Sequence, residues 1–173
     1  MLDPVAHHAT AFRRDAVQRL LALRPAVIRG NASEIIALAG GQSASKGVDA
    51  RDPVQLAEQA ARDLARAQQT VVAVTGEVDF VTDGTREVRV TGGSPLMPQV
   101  TATGCALTAV VGAFVAVSKQ DTYTAAVAAL SCFGIAGRRA GALADGPGSF
   151  AWRFLDALAA LETDSLTRES PLR

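Results

Sequence analysis

The sequence is poor in the residues that build several common kinds of site. Its two cysteines, Cys105 and Cys132, make neither a disulfide framework nor a metal-ligand spacing, which suits a reducing compartment. Its two histidines, His7 and His8, are adjacent, and no third exists to complete a site; they read as solvated loop residues. The phosphate-cradling patterns GxxxxGK followed by Ser or Thr, and GxGxxG, do not occur, and without GxSxG there is no nucleophile elbow. Charge is unbiased: 17 basic and 17 acidic residues cancel, giving no electrostatic reason to expect nucleic acid or an anionic membrane as partner. No run of about eighteen uncharged apolar residues occurs, and MLDPVAHHAT lacks the basic-then-apolar layout of a secretory signal. The expectation is a soluble, cytoplasmic protein.

What the sequence does contain is enough apolar material, 49% of 173 residues, for one domain with a substantial core. Residues 10–23 space Phe12, Val17, Leu20, Leu21 and Leu23 as a helix does, with Pro25 as a stop. Residues 26–29 read as a short buried strand, and Asn31 opens a second helix closed by Gly40 and Gly41. The polar stretch QSASKGVDARD suggests a loop over 41–52, and Pro53 begins an amphipathic helix through Gln69. Residues 70–75 form a β-branched apolar run typical of a strand covered on both faces. Residues 78–82 and 87–91 flank Asp83-Gly84, a hairpin signal. From Thr103 onward the pattern is almost wholly helical: 104–118, 122–144 and 149–162. There is no internal repeat or low-complexity tract. The early alternation and the buried strand predict an α/β layered fold.

Three short stretches carry candidate chemistry. In Thr101–Cys105, Thr103 can cap the following helix, whose first-turn amides favour an anion. The same field would stabilise a Cys105 thiolate; the alternative is a small cysteine packed like alanine, as expected for Cys132. In Arg29–Glu34, Asn31 and Glu34 match an Asn form of the capping box, which needs no ligand. Arg29 beside them is equally suited to phosphate, and Glu34 to water on magnesium. Thr75 and Gly76 end the buried strand, and ligands of open α/β sheets gather beyond strand carboxyl ends, the crevice expected for Asp3 and Arg29. A glycine turn before a hairpin would read the same way.

Taken in order, DPVA (3–6), IRGNASEIIALAG (28–40), VVAVTGEVDFVTDG (71–84), PLMPQVTATGCALTAVVGAF (95–114) and GPGSFAWRFLDAL (146–158) closely resemble the hydroxyethylthiazole kinases of thiamine salvage. These belong to the ribokinase-like superfamily, and the resemblance spans nearly all of residues 2–161. It implies a ribokinase-like fold with a central, mostly parallel sheet flanked by helices, as a single kinase domain over 1–163 with a polar tail at 164–173. It implies ATP-dependent phosphorylation of the primary hydroxyl of 4-methyl-5-(2-hydroxyethyl)thiazole, with Mg²⁺. By the same resemblance Arg29, Thr75 and Gly104 contact ATP, Ala102 contacts substrate, Asp3 and Glu34 serve the metal, Glu34 through water, and Cys105 is the catalytic group. Cys105 stands where ribokinase relatives carry an aspartate base, and Ala102 where many relatives have glycine. That alanine should cost little unless its position needs positive φ. Family members form homotrimers and carry an N-terminal section before DPVA that supplies strands and much of the thiazole pocket; it is not in this sequence, so an N-terminally truncated fold is expected. A catalytically silent nucleotide-binding or oligomerising domain, and a related hydroxymethylpyrimidine-type kinase, are the alternatives.

Overall fold

A computed structural model describes residues 1–40, 53–118, 121–169 and 171–172, so the expected loop at 41–52 lies outside the described residues. The chain separates into two compact units, Met1–Glu87 and Val88–Arg173. The boundary falls within the last of the four strands found among the described residues.

The first unit is α/β. After a single 3-10 turn at His7–Ala9 come α1 (Ala11–Leu21), β1 (Val27–Asn31), α2 (Ala32–Leu38), α3 (Pro53–Gln68), β2 (Val71–Thr75) and β3 (Asp79–Thr82), and β4 (Glu87–Val90) begins at its end. The sheet order is β1-β2-β3-β4. β1 and β2 are parallel, with Val27 opposite Val71 and Asn31 opposite Thr75. β3 returns antiparallel, because three residues cannot make the long crossover a parallel neighbour needs. The sheet expected to be mostly parallel is therefore mixed. Leu2 extends it beyond β1 by one parallel bridge to Ile28, its amide donating to Val27 O at 2.8 Å.

Strand alternation gives the sheet a face formed by Leu2, Ile28, Val72, Val74 and Phe80, packed with Val17, Leu21, Ile35, Ala61 and Leu64 from the helices. Every strand residue of Val71–Val74 is buried, as the unbroken apolar run required. Only Val17 and Leu21 of the expected α1 residues are buried; Phe12, Leu20 and Leu23 are exposed. His7, expected in solvent, is buried, while His8 is exposed. Burial, then the neighbouring His8, pushes the His7 imidazole below its ordinary 6.5, so it stays neutral near neutral pH.

The second unit is helical: α4 (Thr103–Val117), α5 (Thr122–Leu143), α6 (Pro147–Ala159) and the short α7 (Ser165–Arg168). α5 carries buried residues from Ala125 to Ala140 and meets α6 through Phe133, Phe150 and Phe154, with ring centroids 4.7 and 5.6 Å apart. Residues of the expected polar tail are tied down: Thr91 N and Oγ1 both donate to Pro171 O at 2.8 Å, and Arg138 and Arg139 hold Glu169. Gly92, at φ 135°, sits with its Cα against the α5 backbone, where an added Cβ would lie 3.1 Å from Gly134 C. Among the described residues no helix is long and apolar enough to cross a membrane.

The N-terminus of α4 differs from the sequence expectation. Thr103 is the first helical residue, its hydroxyl donating back to Val100 O at 2.8 Å. Ala102 is the N-cap, in the left-handed region at φ 67°, ψ 7°, and its carbonyl accepts from Ala106 N at 2.9 Å. A non-glycine residue there carries a strain of about 1–2 kcal/mol.

Two stability outcomes follow from these backbone positions. Ala102→Gly should raise the urea midpoint by an amount equivalent to about 0.5–1 kcal/mol, relief of strain outweighing the added freedom of the unfolded chain. Gly92→Ala combines positive φ with a backbone collision and should destabilise by roughly 2–4 kcal/mol, read as a lowered melting temperature.

Candidate active site

In the first unit, the carboxyl ends of the two parallel strands bring together three of the residues picked from the sequence. Arg29, the third residue of β1, donates from Nη2 to Thr75 Oγ1 at 2.6 Å and from Nη1 to Asp3 Oδ2 at 3.5 Å. The pairing of Arg29 with Ala73 and of Asn31 with Thr75 explains the first contact: both side chains leave the sheet on the same face, one diagonal step apart. The Leu2–Ile28 bridge explains the second, since the next residue along, Asp3, falls beside Arg29. Asp3 and Arg29 side chains are only 12% and 13% exposed, so their charges interact in a medium less screening than bulk water. Thr75 Oγ1 also reaches Gly30 O at 3.4 Å, tying the hydroxyl to β1.

Glu34 sits in the following turn. Asn31 Oδ1 accepts from Glu34 N at 2.9 Å, and Glu34 Oε2 accepts from Asn31 N at 2.9 Å, the reciprocal capping box read from the sequence. Its other oxygen accepts from Ala6 N at 3.0 Å, which fastens the chain after Asp3 onto the start of α2. Each carboxylate oxygen thus takes one amide and retains lone-pair capacity for water. Gly30 allows this approach, because a Cβ there would come within 3.2 Å of Glu34 Oε2. Among the described residues no group of three or more His, Cys, Asp or Glu side chains converges as a metal cage.

The second unit presents Ala102, Gly104 and Cys105 as one continuous turn entering α4. The N-cap residue Ala102 supplies no side-chain cap, and the first turn lies at the positive end of the helix dipole. The Cys105 thiol is exposed, which sets aside the reading of a small buried cysteine. Cys132 is half-buried on α5, with its thiol pushed upward by burial, an environment that suits packing rather than reactivity.

Asp79 is the polar residue at this strand end that sequence reasoning passed over. It begins β3, half-buried, and its Oδ1 accepts from Gly76 N at 2.9 Å. Burial pushes its carboxyl up to about 6, against the opposing pull of the Gly76 amide and the Arg29 charge. The available signal was a lone acid inside the apolar alternation of Val78-Asp79-Phe80-Val81.

Comparison with known proteins bears on the family and the fold. The sequence model of the hydroxyethylthiazole kinase family matches residues 1–164. The hydroxyethylthiazole kinase of Rhizobium leguminosarum bv. trifolii is 68% identical over 166 residues, covering 96% of this chain and 62% of that protein. The one from Cereibacter sphaeroides (strain ATCC 17029) is 58% identical over 172 residues, covering 99% and 65%. The chain thus spans a little under two thirds of these curated relatives. The solved hydroxyethylthiazole kinase of Pyrococcus horikoshii OT3 superposes with a TM-score of 0.87 at 37% identity, covering 99% of this chain and 63% of that one. Matched along almost its whole length and carrying the α/β architecture of its solved relative, this chain belongs to the hydroxyethylthiazole kinase family.

Proposed function

We propose that this chain carries out the transfer of the γ-phosphoryl group of ATP to the primary hydroxyl of 4-methyl-5-(2-hydroxyethyl)thiazole. The observation that carries the reading is the Asp3–Arg29–Thr75 row at the carboxyl ends of parallel strands, in a chain 68% identical to a relative named for this kinase. An arginine held on one side by a hydroxyl and on the other by a carboxylate keeps its charge in a fixed direction, as phosphate binding needs.

In this reading the acceptor oxygen forms a bond to the γ-phosphorus as the β–γ bridging bond breaks, and ADP leaves. Arg29 in the first unit offsets charge on the phosphate oxygens, with Thr75 fixing its guanidinium. In the second unit the amides of the Ala102–Cys105 turn act on the same kind of charge, and Cys105 Sγ takes the proton lost by the acceptor hydroxyl. Asp3 and Glu34 would hold Mg²⁺, Glu34 through water, and the ion when bound neutralises phosphate charge. A site of two carboxylates without a dedicated cage fits an ion that keeps several waters and shares phosphate oxygens. Assembly as a homotrimer in the cytoplasm belongs to the same reading, and light scattering on the purified chain measures the former.

The test is ADP release with Mg²⁺ and ATP, with and without the thiazole alcohol. Thiazole-dependent ADP formation is expected; folded, ATP-binding protein without turnover would leave a silent domain, and preference for hydroxymethylpyrimidine in competition would assign the relative's chemistry instead. Phosphoryl transfer rests mainly on positioning and electrostatics, so Cys105→Ala should lower kcat about ten- to a hundredfold with little change in ATP affinity. Loss of nucleotide binding in that variant would make Cys105 structural.

A further inference from the structure

The row at the strand ends extends one residue past Thr75. β2 and β3 pair with Val74 opposite Phe80 and Ala73 opposite Val81. Continuing that register by one pair sets Asp79 across from Thr75, on the sheet face away from the Ile28–Val74–Phe80 core. Arg29 and Thr75 lie on this same face, and Asp3 falls beside Arg29. The four neighbouring segments therefore present Asp3, Arg29, Thr75 and Asp79 in sequence, a cation and a hydroxyl between two carboxylates.

Asp79 does two separable things in that row. Its Oδ1 takes the Gly76 amide at 2.9 Å and so closes the turn that ends β2, directly after the Thr75 that meets Arg29 at 2.6 Å. Its charge also acts on Arg29 across the sheet, while burial holds the carboxyl up to about 6. The other charged groups nearby are differently engaged. Asp3 lies on the far side of Arg29, and Glu77 is exposed in the turn itself. Arg62 of α3 stacks over the Phe80 ring and bridges to Glu58 and Glu87.

We infer that Asp79 is a positioning residue for the Arg29–Thr75 pair, and that its carboxylate competes with a bound polyphosphate for the charge of Arg29. The inference rests on the ATP reading above. A ligand with several negative charges approaching Arg29 meets Asp79 as an unfavourable neighbour when it is ionised, and as a neutral one when it is protonated.

Asp79→Asn keeps an acceptor for Gly76 and removes the charge; Asp79→Ala removes both. The probe is MgADP, titrated calorimetrically into wild type and both variants at pH 5 and pH 8, with folding checked by circular dichroism. Because the native carboxyl is raised toward 6, wild type resembles the Asn variant at pH 5 and differs from it at pH 8. Asp79→Asn should bind MgADP about three- to tenfold more tightly than wild type at pH 8, with the gap closing at pH 5. Titration of the nucleotide itself cancels in that comparison. Asp79→Ala should bind more weakly than Asp79→Asn at both values. Equal binding by wild type and Asp79→Asn at both pH values overturns the inference while leaving the ATP reading intact. Wild type that fails to bind MgADP overturns the ATP reading, and this inference with it.

Discussion

The parallel pairing of β1 with β2 is the constraint on which the first unit's chemistry depends. Five residue pairs in register, from Val27–Val71 to Asn31–Thr75, bring two carboxyl ends level at one edge of the sheet. Strand alternation then divides the unit's labour. One face buries Ile28, Val72 and Val74 against the helices, and the other sends out Arg29 and Thr75. A slip of one residue would exchange the two sets, so the same apolar packing that stabilises the unit also fixes where its polar row stands.

Charge at that row is balanced locally. Arg29 has Asp3 at 3.5 Å on one side and feels Asp79 from the other, while Thr75 anchors its second nitrogen. Such an arrangement fixes the direction in which a partly buried guanidinium presents its charge. Glu34 follows a similar economy. Its two amide contacts hold the chain around Ala6 and Asn31 in place, and the same carboxylate keeps capacity for water. Structural and functional readings of this residue are therefore compatible.

The second unit builds its candidate site by a different device, a left-handed residue leading into an apolar helix. Ala102 turns the backbone into the first turn of α4 without a side-chain cap of its own. Thr103, the expected cap, is already the first helical residue, one position past the cap, and its hydroxyl bonds instead to Val100 O. Cys105 stays exposed in that turn.

Much of this was legible in the residues themselves. The helices and strands lie within a few residues of their expected bounds, since periodicity and turn chemistry act locally. The Asn31–Glu34 box was read directly, being a contact between residues three apart. Ordered motifs carried the family, and with it Asp3, Arg29, Thr75 and Cys105 as candidates. What the sequence could not decide were matters of register and burial: that His7 is enclosed, that Phe12, Leu20 and Leu23 are not, that Ala102 takes positive φ. Asp79 belongs with these. By itself it is an acid near a turn, and only the pairing of β2 with β3 puts it beside Thr75 and within reach of the Arg29 charge. Local sequence determines which segments form helix or strand. Which side chains then share a face is settled by long-range pairing, a property of the folded sheet and not of any stretch of chain.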